Sequence, residues 1–220
     1  MDNGFSIHER VFERGEMDPA AEALARADVV RTKAGARHVL SVPIVRALAA
    51  DPRLIRLAAE YVGAEPVPFR ATLFDKSPAS NWLVVWHQDT ALPLKTRVDD
   101  PAWTSWSTKA GVLYAHAPAW ALEAVVALTL SLDDSTATNG PLRVLPNTHL
   151  KGVLTDDQIQ ALSRHVVPAD CVAAAGGVVA MRPLTVHASS KSIDDQPRRV
   201  LHIEYAAAVN LGSGIELAVG

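Results

Sequence analysis

Short apolar segments separated by turn-forming residues occupy most of the chain after residue 66. Each has the alternation, or the run of β-branched and apolar residues, that is typical of a β-strand. These segments are residues 69–74, 81–87, 124–132, 142–145, 171–175, 178–182 and 199–207. In the last of them, Val200, His202 and Glu204 fall on one face, and Leu201 and Ile203 on the other. This pattern predicts a mainly β protein.

The chain before these segments predicts helices. We expect one helix over residues 20–30 that starts at Asp18-Pro19, and a second over residues 41–48. A third should run to Val62, with Asp51 as its cap and Gly63 at its end. Helices followed by short strands favour a β-sandwich or a jelly-roll barrel with helices packed outside. A chain of 220 residues suits a single domain, residues 1–220, with helical support over 1–64 and a jelly-roll core over 65–210.

Composition excludes several classes of partner. The net charge of −3 gives no basic surface for nucleic acid or for an anionic membrane, so we expect neither partner. Cys171 is the only cysteine, which excludes an intrachain disulfide and fits a reducing compartment. The N-terminus lacks a basic start followed by an apolar run, and no later segment approaches 18 uninterrupted apolar residues. These features favour a cytoplasmic protein.

His87 and Asp89 are the first candidate metal ligands. An apolar and aromatic segment, residues 82–86, leads into them, and residues two apart in a strand project to the same face. Two imidazoles and one carboxylate on one face of an octahedral ion leave three positions open, as in non-haem Fe(II) oxygenases. The triplet His-x-Asp also arises by chance, so the pair alone fits a surface histidine beside an acid as well. Gln88 should point away from the metal unless the strand ends there.

A third ligand must come from downstream. The candidates are His116, His149, His165, His187 and His202. His187 has the most useful surroundings, because Ser189 and Arg198 follow it. A 2-oxoglutarate cosubstrate needs a buried cation and hydrogen-bond donors for its far carboxylate, and arginine with serine provides them. Arg199 is the fallback for this anchor. His202 and Glu204 also have metal-ligand spacing and form the competing site.

Four blocks of the chain resemble the phytanoyl-CoA dioxygenase family. They are Trp86-His87-Gln88-Asp89, residues 139–149 (NGPLRVLPNTH), residues 181–189 (MRPLTVHAS) and Arg198-Arg199. The resemblance implies a double-stranded β-helix in which His87, Asp89 and His187 bind Fe(II). It also implies that Ser189 and Arg198 hold the 5-carboxylate of 2-oxoglutarate, with O2 as the other cosubstrate.

One loop departs from the family pattern. A Pro-Gly-Ser-His loop of the family reads Pro146-Asn147-Thr148-His149 here. Asparagine tolerates the left-handed conformation better than most residues, so we expect the loop to keep its shape. Halogenases of the family replace the carboxylate ligand by a small residue. Asp89 is present, so the resemblance implies hydroxylation or a related oxidation of a small organic substrate, with release of succinate and CO2.

Two other functions fit the same residues. One is a cupin-like isomerase or hydrolase that uses the three ligands without 2-oxoglutarate, and the other is a non-catalytic small-molecule-binding barrel. The segment from Thr90 to Lys109 has little periodicity and is predicted to be a long loop that forms a lid or a pocket wall. Further candidates for the pocket lining are Lys76, Lys109, Trp103, Trp106, Tyr114 and His116. Substrate and oligomeric state stay open at this point.

Overall fold

The helical N-terminal segment is built largely from local capping signals. A computed structural model describes residues 3–63 and 65–220. Its α-helices are α1 (Arg14–Arg26), α2 (Pro43–Ala49), α3 (Pro52–Val62), α4 (Ala119–Glu123) and α5 (Asp156–His165). Asp51 caps α3 by accepting a hydrogen bond from the Arg53 N–H at 2.8 Å, and Gly63 ends it with a φ of 70°. Both agree with the prediction.

The predicted start of the first helix is wrong. α1 begins at Arg14 and contains Pro19, because the Glu16 carboxylate accepts a hydrogen bond from the Glu13 N–H at 2.7 Å and closes a capping box one turn earlier. The same segment also contributes strands that its sequence does not predict. The predicted boundary at residue 64 falls outside the described residues.

The predicted strands are present with shifted ends, except that the one over residues 171–175 overlaps the strand Ala169–Cys171 only at Cys171, and further strands occur that the sequence does not predict. The strands are β1 (Phe5–His8), β2 (Arg31–Thr32), β3 (Gly35–Arg37), β4 (Val67–Lys76), β5 (Val84–His87), β6 (Ala91–Leu94), β7 (Thr104–Lys109), β8 (Val112–His116), β9 (Val125–Ser131), β10 (Leu142–Val144), β11 (Ala169–Cys171), β12 (Val178–Met181), β13 (His187–Ser189), β14 (Arg198–Ala206), β15 (Asn210–Gly212) and β16 (Ile215–Glu216). Short 3-10 helices cover Val39–Ser41 and Thr148–Lys151.

The largest sheet separates α1, α2 and α3 from a cavity. Within the described ranges its strand order is β1-β12-β9-β14-β4-β3-β2, with every pairing antiparallel. One face of β14 carries Leu201, Ile203 and Tyr205, which are buried in a core shared with α1, α2 and α3. The alternate residues Val200 and His202 line the cavity on the other face. Alternation along one strand therefore decides which residues support the fold and which face the site.

A second sheet, ordered β11-β10-β13-β5, closes the other side of the cavity. Two facing antiparallel sheets, with α1, α2 and α3 packed against the larger and α5 against β5 of the smaller, make a mainly β jelly roll, as predicted.

The long loop predicted between Thr90 and Lys109 is wrong in part. The segment contains β6 and β7, which pair with β8 in a three-stranded sheet. β7 escapes prediction because it is mostly exposed and polar on both faces, so it shows no apolar alternation.

Candidate metal centre and cavity

His87, Asp89 and His187 meet at one end of β5 and β13. The two histidines are cross-strand partners, and their ring centroids lie 4.2 Å apart. Asp89 Oδ1 lies 3.7 Å from His87 Nε2, and Asp89 Oδ2 lies 3.5 Å from His187 Nε2. The Asp89 N–H donates to the Pro183 carbonyl at 3.0 Å, which ties the end of β5 to the loop before His187. One ligand atom from each of the three residues lies within 4.8 Å of the others.

Both imidazoles are oriented by hydrogen bonds on the side away from this cluster. His87 Nδ1 lies 2.8 Å from the Val85 carbonyl, and His187 Nδ1 lies 2.9 Å from the Thr185 carbonyl. A carbonyl oxygen can only accept, so each Nδ1 carries a proton, and each Nε2 lies on the side of Asp89 and is the ring atom left for a metal. Histidines that bind metals are commonly oriented in this way, by a hydrogen bond from the ring nitrogen that does not bind the metal.

The charges of the cluster also suit a cation. Burial raises the pKa of Asp89, but His187 and His87 outweigh it and lower this pKa to about 2. Burial lowers the pKa of His187 to about 4, against the opposing influence of Asp89. At neutral pH the cluster therefore offers the Asp89 carboxylate and the neutral imidazole of His187, which are the forms that bind a divalent transition metal. The donor set fits iron.

Gln88 points away from these atoms. Its amide donates to the Gly152 carbonyl at 2.9 Å and the Leu184 carbonyl at 2.7 Å, and its carbonyl accepts from the Leu154 N–H at 2.8 Å. Strand alternation predicts this direction. Gln88 thus holds two loops beside the cluster.

A buried cationic pair lies next to the cluster on β4 and β14. Arg198 and Lys76 are cross-strand partners, with exposed fractions of 5% and 1%. Ser189 Oγ joins them: it accepts from Lys76 Nζ at 2.7 Å and lies 3.5 Å from Arg198 Nη2. Within residues 3–63 and 65–220 neither cation forms an ion pair with a carboxylate, and Arg198 Nε has no hydrogen-bond partner.

Burial dominates the pKa values of this pair. It lowers the pKa of Arg198 to about 10, and burial followed by the charge of Arg198 lowers the pKa of Lys76 to about 8. A buried donor without a partner, beside two cations without a counter-ion, is costly unless an anion binds there. The pair therefore fits the far carboxylate of 2-oxoglutarate.

The Asn139-Gly140 turn supports this pair. Ser189 Oγ donates to the Gly140 carbonyl at 2.9 Å. Gly140 has a φ of 72°, and a Cβ there would lie 2.4 Å from the Ser190 carbonyl oxygen and 2.9 Å from Lys76 Nζ. Only glycine fits this position. Asn147, in the other motif loop, has a φ of 65°, so asparagine does take the left-handed conformation as predicted.

The other predicted residues belong neither to the metal cluster nor to the cationic pair. His202 Nδ1 lies 3.0 Å from Thr129 Oγ1, and Glu204 pairs with Arg70, with Nη2 to Oε1 at 2.6 Å. Both line the cavity, but among the described residues they join no cluster of three potential ligands. Arg199 lies on the opposite face and pairs with Asp133 at 2.7 Å.

The remaining histidines are not at the cluster. His116 lines the cavity and lies 3.3 Å from Thr90 Oγ1. His165 is exposed at the end of α5, and His149 lies in the 3-10 helix Thr148–Lys151.

The cavity has a volume of about 460 Å³. The metal cluster, Ser189 and Arg198 all line it. From the segment between Thr90 and Lys109, both end residues and Ala91 line it, whereas Trp103 is buried in a separate core with Trp106 packed against it. The segment is thus a wall of the cavity in part. Sequence reasoning named Lys76 only as a pocket candidate; its position opposite Arg198 required the strand register.

Comparisons with known proteins agree with this geometry. The model of the phytanoyl-CoA dioxygenase (PhyH) family matches residues 6–200. AviO1 from Streptomyces viridochromogenes Tue57 has a similar structure, with 23% identity, 93% of this chain and 90% of that chain covered, and a TM-score of 0.65. EctD from S. alaskensis with bound Fe gives 19% identity, 99% and 83% coverage, and a TM-score of 0.69.

HygX from Streptomyces hygroscopicus, solved with nickel and 2-oxoglutarate bound, shares 17% identity over 99% of this chain and 93% of that chain, with a TM-score of 0.67. No curated protein matches this chain in sequence. These identities establish the shared fold alone. Among the described residues, no helix combines the length and apolar character needed to cross a membrane.

The fold and the donor set define a class, the non-haem iron enzymes that use 2-oxoglutarate on a jelly-roll scaffold. Within that class, the chain belongs to the phytanoyl-CoA dioxygenase family. Its cofactor is therefore Fe(II), and its cosubstrates are 2-oxoglutarate and O2.

Proposed function

We propose that this enzyme oxidises a C–H bond of a small organic substrate, most simply by hydroxylation, and releases succinate and CO2. In this proposal His87, Asp89 and His187 hold Fe(II). Ser189 and Arg198, joined by Lys76, bind the 5-carboxylate of 2-oxoglutarate. We also propose that residues 1–220 form a single domain in a cytoplasmic enzyme, with helical support over 1–64 and a jelly-roll core over 65–210.

The main support for the proposal is that the metal cluster and the cationic pair lie at one cavity. The metal cluster contains His187 at the start of β13, and the cationic pair contacts Ser189 at the end of the same strand. Two residues along a strand span about 7 Å, a distance that a five-carbon dicarboxylate bridges. A 2-oxo acid whose first carboxylate and oxo group bind the metal can thus reach the buried cations with its second carboxylate.

Each residue has a defined task in the reaction. Fe(II) and 2-oxoglutarate, when bound, reduce O2 and supply the oxidant. Asp89 contributes the negative charge of the site, and backbone carbonyls hold the Nδ1 atoms of both imidazoles, which fixes each ring with its Nε2 near Asp89. Arg198 and Lys76 neutralise the cosubstrate carboxylate and exclude water from it, since both are buried.

The alternative functions leave the cationic pair without a role. A cupin-like isomerase or hydrolase needs the three metal ligands but no anchor for a dicarboxylate, and a binding barrel needs neither. Two buried cations without a carboxylate partner among the described residues favour the cosubstrate-dependent enzyme.

The test is succinate formation by purified, iron-loaded protein with a panel of small organic compounds. We expect Asp89→Ala and His187→Ala to abolish succinate formation, while His165→Gln, on an exposed helix end, retains it. Turnover that is unchanged in the two ligand variants would refute the assignment of the ligands. Product formation without any need for 2-oxoglutarate would favour the isomerase or hydrolase.

A further inference from the structure

A second group of cations lies at the opposite end of the cavity from Arg198. On the cavity face of β14, residues run from Arg198 through Val200 and His202 to Glu204. Six residues of strand span about 20 Å, so the two ends are well separated. Arg70 pairs with Glu204 across the strands, and Arg37 on β3 lies opposite Thr72, two residues from Arg70.

Lys109 completes this second group. It lines the same cavity from the end of β7. Its pKa is lowered by desolvation first and then by the charges of Arg37 and Arg70, so the three cations lie close enough to repel one another. Asp89 acts on Lys109 in the opposite sense, which places this group within electrostatic reach of the metal cluster.

The carboxylates of the cavity do not neutralise this group. Asp89 and Glu204 are the only acidic residues in the described lining, and Asp89 belongs to the metal cluster. Glu204 is engaged with Arg70. Among the described residues, Arg37 and Lys109 form no ion pair with a carboxylate. Both side chains are exposed, at the mouth of the cavity rather than in its buried end.

We propose that the substrate is a small anion whose carboxylate or phosphate binds Arg37 and Lys109. This inference rests on the proposed function, because it takes the buried Arg198 end for 2-oxoglutarate and leaves the other end for the substrate. Arginine and lysine together bind either anion well.

The size of the cavity restricts the rest of the substrate. A volume of about 460 Å³ lies in the lower half of the range of roughly 300–1,000 Å³ found for ligand pockets, and 2-oxoglutarate takes part of it. Phe74 and Trp82 lie on the Lys76 side of the cavity, where 2-oxoglutarate is proposed to bind, so the space left for the substrate is smaller than the whole cavity. The enclosed part of the substrate is therefore compact.

The test uses matched pairs of compounds that differ in charge. Protein loaded with Ni(II) and 2-oxoglutarate is titrated with benzoate or its neutral partner benzamide, and with phenyl phosphate or its partner phenol, at constant ionic strength. Binding is measured from the shift in melting temperature. We expect benzoate, phenyl phosphate or both to bind, and each neutral partner to bind at least about tenfold more weakly. The stronger of the two anions identifies the carboxylate or the phosphate.

Variants locate the binding. Arg37→Gln/Lys109→Gln should weaken anion binding at least about tenfold, whereas Arg97→Gln, an exposed arginine outside the cavity lining, should not. Equal binding of charged and neutral partners, no binding of either, or unchanged binding in the double variant would overturn the inference. A separate titration of 2-oxoglutarate reports on the proposed function: if wild-type protein fails to bind it, the proposed function fails rather than the anion site alone.

Discussion

Replacing Arg198 by glutamine should lower the affinity for 2-oxoglutarate and at the same time leave the free protein no less stable. The side chain is 5% exposed, its Nε has no partner among residues 3–63 and 65–220, and its one hydrogen bond there is a long one to Ser189. The bound cosubstrate would supply the missing acceptors. Without it, Arg198 is an unpaired buried cation.

The magnitude follows from the two charge-assisted hydrogen bonds that a carboxylate makes with a guanidinium. Each is worth about 1.5–3 kcal/mol, and the retained Lys76 and the glutamine amide recover part of the loss. We expect a net loss of about 3 kcal/mol, which raises the Kd for 2-oxoglutarate roughly a hundredfold.

The stability of the free protein should change in the other direction. Burial lowers the pKa of Arg198 from its ordinary value to about 10, so the charged form is penalised in the fold. Arg198→Gln removes this penalty and the repulsion of Lys76. We expect the free energy of unfolding to rise by about 1–2 kcal/mol. Each kcal/mol should raise Tm by roughly 2–4 °C.

Calorimetric titration with 2-oxoglutarate and thermal denaturation measure the two effects on one sample. Arg199→Gln is the matched control, because Arg199 lies on the other face of β14 and pairs with Asp133 at 2.7 Å. This control should lose about 1 kcal/mol of stability or less and keep its affinity for 2-oxoglutarate. Unchanged affinity in Arg198→Gln, or equal losses in both variants, would refute the anchor.

The remaining predictions concern the same cavity. Gly140→Ala should lose 2-oxoglutarate affinity and stability together, since its Cβ would lie 2.4 Å from the Ser190 carbonyl oxygen; a variant that melts and binds as wild type does would contradict this contact. Glu204→Gln should lower the free energy of unfolding, measured by chemical denaturation, by about 3–5 kcal/mol, because it leaves Arg70 buried without its charged partner. The control Glu216→Gln removes an exposed ion pair and should lower it by less than about 1 kcal/mol. The affinity for 2-oxoglutarate should fall as pH rises through about 8, where Lys76 loses its proton, and Lys76→Met should remove this pH dependence.

The sign of the pH effect on stability follows from the same pKa. Lys76 has a pKa of about 8 in the fold and an ordinary value of 10.5 when unfolded. Below pH 8 both states are protonated, and the fold carries the full penalty of a buried charge. Between about pH 8 and 10.5 only the unfolded state holds the proton, so Lys76 should destabilise the free protein less as pH rises through this window. Denaturation of wild type and Lys76→Met at pH 7 and pH 9.5 measures the difference.

Strand alternation predicts the directions of the site residues better than it predicts where helices and strands begin and end. It places His87 and Asp89 on one face and directs Gln88 away from them, as the contacts of Gln88 with the loops around 152 and 184 require. It also separates Arg198 from Arg199. The choice of His187 depended on Ser189 and Arg198 after it and on the resemblance of whole blocks, because no local pattern brings a residue one hundred positions away to His87.

The parts that escaped prediction depend on long-range pairing. β1 is only four residues long and becomes a strand because it pairs with β12 at the edge of the sheet. β7 is polar on both faces and gains its partner in β8. Lys76 precedes a turn in the sequence, and only the register of β4 with β14 sets it beside Arg198. Local propensity carries no information on such contacts.

Visible absorption of the anaerobic protein with Fe(II) and 2-oxoglutarate tests the central claim most directly, because a weak charge-transfer band requires metal and 2-oxo acid to be bound together at His87, Asp89 and His187. We predict that the band forms in the wild-type protein, is lost in His187→Ala, and in Arg198→Gln appears only at about a hundredfold higher 2-oxoglutarate concentration. A folded, iron-binding wild-type protein that shows no band, or a band that persists unchanged in His187→Ala, would contradict the account.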